Sequence, residues 1–308
     1  MFLLFLEEYK DQMKRLKLED KPYLLLTLAV LFWAGNFILG RAFHGIIPPV
    51  ALAFWRWFGA SVLIIGPAWK HLRQDWPILC RHWAIIILLS ALGIAAFNTL
   101  AYSGLQYTQA INAFLMQSLM PVLIVILSFL IFREKVRLLQ VAGILISLCG
   151  AVAIIARGDF SLLIALQFNR GDLLVAGAIL CYAGYSALLR KRPPVHPLSF
   201  IAITFWIGSA IILPLYLWET LTVRALQLQP AVLLVIGYVA IFPSIISYLC
   251  FNRGVELIGA NRAGLFIHLM PVFGSLMAIL FLGETFFWYH TLGIGLIATG
   301  IYLATRGK

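Results

Sequence analysis

The sequence predicts an all-α membrane protein, with ten transmembrane helices arranged as two inverted five-helix repeats. Three observations carry that prediction. Hydrophobic residues make up 62% of the chain and charged residues 11%, against the roughly half apolar and one-quarter charged mix of soluble domains. The apolar residues fall in ten stretches, each long enough for a bilayer core of about 30 Å, which needs roughly 20 helical residues. The second half also repeats the first. At an offset of 150, Gly104, Ala110, Met120, Pro121, Glu134, Gly143 and Gly150 meet Gly254, Ala260, Met270, Pro271, Glu284, Gly293 and Gly300. An offset of 149 sets Trp33, Arg41, Trp57 and Trp69 on Tyr182, Arg190, Trp206 and Trp218. A repeat of this length is a whole subdomain rather than a solenoid unit.

Taken in order, residues 1–21 read as a cytoplasmic N-terminal segment. Its apolar run from Phe2 to Leu6 is too short for a signal-peptide core and is followed by Glu7, Glu8 and Asp11, so no cleaved leader is expected. The first repeat, 22–158, holds spans Pro22 to Gly40, Pro49 to Trp69, Trp83 to Tyr102, Gln109 to Phe132 and Leu138 to Ala156. The second, 171–305, holds Asp172 to Leu189, Leu198 to Trp218, Pro230 to Phe251, Ala260 to Leu282 and Phe286 to Thr305. Asp172 reads as a helix start, where a carboxylate caps free N–H groups. Trp69, Trp76, Trp83, Trp218 and Trp288 mark the interfaces. Short connections leave no segment for a soluble catalytic domain.

Five is odd, so a duplicated half enters the membrane from the opposite side. The charges agree. With the N-terminus inside, Lys and Arg crowd the cytoplasmic segments, and only Arg41, Arg157, Arg170 and Arg224 lie outside, as the positive-inside rule requires. Arg133, Lys135 and Arg137 follow the fourth span, whereas Gly283, Glu284 and Thr285 follow the ninth with no basic residue. The net charge of +11 is therefore an orientation device and a contact for the lipid bilayer, and no nucleic-acid partner is expected. Cys80, Cys149, Cys181 and Cys250 are widely spaced, without a C-x-x-C or a His at ligand spacing, so no disulfide, metal or cofactor is expected.

Inverted repeats let two similar halves exchange conformations, which is the device of secondary transporters. The residues resemble a known family at this point: Trp33-Ala34-Gly35-Asn36, Phe54-Trp55-Arg56, and Leu119-Met120-Pro121 with Glu134 and Gly143. Gly171-Asp172-Leu173, Tyr182-Ala183-Gly184, Met270-Pro271, Gly283-Glu284 and Gly293 follow in the second half. In this order the chain is similar to the drug/metabolite transporter superfamily, specifically its ten-span EamA-type members. The resemblance implies export or exchange of small metabolites such as amino acids through the bacterial inner membrane; the charge bias puts both termini in the cytoplasm, and a monomer is expected. Four-span multidrug members carry a Glu in their first span. This chain has none there, which argues against strong binding of cationic drugs and leaves proton coupling open beside exchange or facilitated diffusion.

Candidate residues for a cavity follow from polarity at depth. Arg56 is the one fully ionised side chain well inside a span, where charge is costly. It reads either as a carboxylate receptor or as a structural or gating residue. Pro121 and Pro271 break their helices, leaving the carbonyls of Gln117 and Ile267 without their usual donors. Gly93 and Pro243 match at the same offset, so four helices are weakened at corresponding depth. Gln117, Ser118 and His268 then fall near the midplane, His268 being a packing residue or a proton relay. Trp33, Tyr182 and Tyr185, with Asn36 and Tyr248, read as cavity wall, while Asn98 and Tyr102 share one helical face. Gly143, Ser147 and Ala151 form a small-residue stripe for packing within the monomer. A nucleotide-sugar or phosphorylated-metabolite carrier would need more cavity cations than Arg56. An intramembrane enzyme would need a nucleophile and base, for which Ser118 and His268 are the only suggestion.

Overall fold

A computed structural model describes residues 20–306 except 44, 109, 160, 165, 166, 168, 283 and 284. Most of the N-terminal segment, Gln109 as a span start and the Gly283-Glu284 pair lie outside the described residues. Helix follows helix, and no strand occurs among the described residues. In chain order they are α1 (Pro22–Ala42), α2 (Pro49–Arg81), α3 (Trp83–Gly104) and α4, which runs as Ala110–Gln117 and Met120–Phe132. After α5 (Leu138–Ile155) come α6 (Arg170–Leu188), α7 (Pro197–Thr222) and α8 (Pro230–Ile258). Then α9 runs as Ala260–Gly264, Leu265–His268 and Leu269–Leu282, and α10 is Trp288–Arg306. Eight of the described helices are long and apolar enough to cross a membrane. The broken α9 and the more polar α10 complete the second set of five.

The inversion can be read directly from glycines. A Cβ on Gly143 would lie 2.5 Å from the Gly300 carbonyl oxygen, and one on Gly150 would lie 2.7 Å from that of Gly293. Since 143 faces 300 while 150 faces 293, α5 and α10 run antiparallel, although they are equivalent by the 150-residue offset. The same holds for α2 and α7. Glu219 near the end of α7 accepts the Val50 and Ala51 N–H groups at the start of α2, at 3.1 and 2.7 Å. Asp75 near the end of α2 accepts the His196 N–H before α7, at 2.9 Å. The remaining large contacts come in exchanged pairs: α1 with α8 and α3 with α6, then α1 with α9 and α4 with α6. Swapping the halves leaves this contact pattern unchanged.

Helix α2 continues 12 residues beyond the expected end at Trp69. Apolarity stops at Lys70, but backbone bonding continues through an amphipathic stretch held by Asp75. Its 33 residues span about 50 Å at 1.5 Å per residue, well beyond the hydrocarbon core. The expected start of α6 is built as a capping box: the Asn169 side chain accepts from Gly171 and Asp172 N–H groups, and Asp172 accepts from the Asn169 N–H at 2.7 Å. Asp172 also accepts from Thr108 and, at 3.2 Å, from Asn112, tying α6 to the ends of α3 and α4.

All four expected weak points coincide with irregular backbone. Gly93 lies in a π-helical segment, Ser90–Ala96, and Pro243 in another, Ile241–Ile246. Pro121 restarts α4 after a turn, and Pro271 follows the 3-10 segment Leu265–His268. Wider i→i+5 winding inside α-helices recurs at functional sites.

Candidate functional site

Arg56 is the hub between the halves, only 2% exposed. Its Nε donates to Ser244 Oγ at 2.7 Å, and Nη1 reaches Asn98 Oδ1 and Tyr102 OH at 2.9 Å and Asn36 Oδ1 at 3.2 Å. Nη2 donates to the Pro243 carbonyl at 3.0 Å, and the guanidinium lies 4.6 Å from the Trp57 ring centroid. Every one of these partners is neutral. Among the described residues no carboxylate forms an ion pair with Arg56, so a full positive charge sits in a low-dielectric interior stabilised only by dipoles and a ring face.

The irregular backbone explains how the hub is built. Pro243 has no N–H for the Val239 carbonyl, and the Ser244 hydroxyl donates to that oxygen at 2.7 Å. With its proton so committed, Ser244 Oγ accepts from Arg56. The Pro243 carbonyl takes both Arg56 Nη2 and, at 3.0 Å, Trp33 Nε1. In the opposite half the Gly93 carbonyl accepts from Tyr248 OH. Each π segment thus presents a carbonyl that side chains of the other repeat consume. Gly93 also makes room, since a Cβ there would lie 2.3 Å from the Tyr185 ring.

A cavity opens beside the guanidinium, lined by Trp33, Asn36, Phe37, Arg56, Phe97, Gln117, Met120, Tyr182, Tyr248, Ile267 and Met270. Its volume is about 20 Å³, room for about one water molecule. The aromatic wall is tightly packed with its rings edge-on or tilted: Trp33 lies 5.5 Å from Tyr182 and 5.1 Å from Phe251, and Tyr182 lies 4.7 Å from Phe97. Among the described residues none hydrogen-bonds the buried Tyr182 OH, and a water or a ligand oxygen in the cavity would satisfy it. At one end of the molecule a vestibule of about 490 Å³ is lined by Glu134, Arg190, Arg192, Asn252 and Glu256, among others. Its rim carries the ion pairs Arg192–Glu256 at 2.7 Å and Arg190–Glu134 at 3.8 Å.

Of the residues singled out from sequence, Trp33, Asn36, Arg56, Gln117, Tyr182 and Tyr248 line the cavity. Asn98 and Tyr102 stand behind Arg56 and hold it. Tyr185 lies one turn away and donates to Asn252 Oδ1 at 2.9 Å. Ser118 and His268 do not line the cavity. His268 Nε2 meets the Ser118 carbonyl oxygen at 2.8 Å, and Nδ1 meets Ser147 Oγ at 2.6 Å. A carbonyl only accepts, so Nε2 carries the proton, and in the neutral ring Nδ1 then accepts from Ser147. That arrangement bolts α9 to α4 and α5. Ser244 and Asn252 escaped sequence reading, although the 150-residue offset pointed to Asn252 as the counterpart of Tyr102.

The comparisons with known proteins agree with this geometry. The EamA-like transporter family matches twice, over residues 20–156 and 169–306. "Uncharacterized transporter YyaM" of Bacillus subtilis is 29% identical, the alignment covering 92% of this chain and 93% of that protein. "Uncharacterized transporter YetK" of the same organism is 25% identical over 93% and 87%, and an Archaeoglobus fulgidus "uncharacterized transporter" is 24% identical over 94% and 98%. A solved crystal structure with 21% identity superposes with a TM-score of 0.75 over 92% of this chain and 96% of the other, a likeness of fold. The twofold match, the inverted repeats and the central cavity lead to one statement: this chain is a multi-pass membrane protein of the EamA-like transporter family.

Proposed function

We propose that the protein is a secondary transporter that exports or exchanges small carboxylate-bearing metabolites, amino acids and their relatives foremost, by alternating access through the Arg56 cavity. The observation that carries this reading is the buried guanidinium without an acidic partner beside an aromatic wall. A carboxylate entering the cavity supplies the missing negative charge in bidentate geometry, and its apolar body replaces water against Trp33, Tyr182 and Tyr248. A cationic drug meets the opposite: like charge at Arg56 and no carboxylate there. The cavity as it stands is too small for such a solute, which fits a closed state between two open ones. The distribution of Lys and Arg supports placement in a bacterial inner membrane with both termini cytoplasmic, so that the vestibule faces the cytoplasm. The site is assembled within a single chain, which supports a monomer.

Flux into proteoliposomes across a panel of amino acids, their deaminated carboxylates and lipophilic cations tests the proposal. Uptake of carboxylate-bearing solutes that is lost in Arg56→Ala is the expected result. Transport confined to cations, or no flux of any solute by folded protein, refutes it.

A further inference from the structure

The vestibule and the central cavity are lined from neighbouring turns of the same two helices. On α6, Tyr182 lines the cavity while Ala187, with Leu189 just past the helix end, lines the vestibule; on α8, Tyr248 lines the cavity while Asn252 lines the vestibule. Between them Tyr185 packs 5.5 Å from Tyr182 and 5.8 Å from Tyr248 and bonds Asn252. Under the repeat offsets Tyr185 corresponds to Asn36 and Asn252 to Tyr102. That second pair is also hydrogen-bonded, Tyr102 OH donating to Asn36 Oδ1 at 2.6 Å. The same tyrosine-to-asparagine bond therefore occurs twice, with donor and acceptor exchanged between helices, once on each side of the cavity.

We infer that these two bonds are the gates of the transport path, Tyr185–Asn252 toward the vestibule and Asn36–Tyr102 toward the opposite end, an assignment that rests on the carrier reading. The gates are not equal. Arg56 Nη1 bonds both members of the second pair and corresponds in the other half to Phe205, which offers the first pair no such hold. A carboxylate that draws Arg56 to itself competes with Asn36 and Tyr102 for the same N–H groups and leaves Tyr185–Asn252 untouched. Loading the cavity therefore loosens the gate away from the vestibule. Among the described residues Asn252 Nδ2 has no hydrogen-bond partner, so a substrate oxygen arriving from the vestibule finds a donor at the gate itself.

Amide hydrogen exchange of the purified protein in lipid nanodiscs tests this without any substrate, so its outcome is independent of whether the transported solute is correctly named. Tyr185→Phe keeps the ring and removes one bond. It is expected to speed exchange about fivefold, the effect of one buried hydrogen bond, in peptides covering 186–195 and 252–260, with 36–51 and 100–112 unchanged. Asn252→Ala, which removes the other partner, is expected to reproduce that pattern, whereas Tyr102→Phe and Arg56→Gln are expected to give the reverse. Acceleration at both ends by either tyrosine variant, or rates at the vestibule end within twofold of wild type in both Tyr185→Phe and Asn252→Ala, overturns the gate assignment and leaves the carrier proposal standing.

Discussion

Arg56 was conspicuous in the sequence because a charge in a span is rare, but its partners were only half legible. Asn36, Asn98 and Tyr102 were polar residues at suitable depth. Ser244 and the Pro243 carbonyl became partners only because a π segment turns them toward the guanidinium, and periodicity carries no trace of that. The fork geometry sets the consequence of substitution. Arg56→Lys keeps the charge but presents a compact ammonium that cannot reach Ser244, Asn98 and the Pro243 carbonyl together. We expect proteoliposome flux to fall roughly 10- to 100-fold, the loss of one or more hydrogen bonds to a charged group, while the variant stays folded by size-exclusion chromatography. Gly93→Ala tests the space under Tyr185. With a Cβ placed 2.3 Å from the ring, overpacking is expected to cost about 1–3 kcal/mol, read as a lower melting temperature in detergent.

Among the helices, α5 and α10 approach closely enough at Gly143, Gly150, Gly293 and Gly300 for backbone to meet backbone, with Ala151, Ile154 and Ile297 packed beside the crossing. The stripe of Gly143, Ser147 and Ala151 announced close packing, and the 150-residue offset supplied Gly293 and Gly300, but neither told which helix would meet which. That followed only from the antiparallel crossing. Replacing Gly300 with Leu puts a side chain against the Gly143 carbonyl and Ser147 and is expected to abolish folded yield in detergent. Gly295→Ala on the same helix meets nothing within 4 Å and is expected to leave yield and melting temperature unchanged. Helix α2 outruns its apolar span for a plain reason: hydropathy registers where a helix leaves the lipid, not where its hydrogen bonds stop, and after Trp69 the bonding continues although the apolarity does not. His268 shows the opposite limit. A titratable residue near the midplane invited a relay role, yet both ring nitrogens are engaged with Ser118 and Ser147. His268→Gln is therefore expected to lower thermal stability with little change in the pH dependence of flux, measured between pH 5 and 8, where a relay histidine would shift the profile.

For the whole molecule, the repeat and the charge bias made the architecture readable before any coordinate, because inversion is forced by an odd number of spans and written into the loops. Within the repeat lies an asymmetry: Arg56 aligns with Phe205, and Asn and Tyr trade places between halves. Orientation remains a prediction at this scale. A fluorescent protein fused after Lys308 is expected to mature in the bacterial cytoplasm, and alkaline phosphatase at the same point to stay inactive. The glycine crossing of α5 with α10 has one more consequence. Two backbones in contact at the glycines, with only short or branched side chains such as Ser147, Ala151, Ile154 and Ile297 beside them, leave little room for one helix to slide past the other. If the proposed alternating access proceeds by tilting of the other helices, this pair, at equivalent places in the two copies, is placed to act as an axle that favours neither direction of stroke.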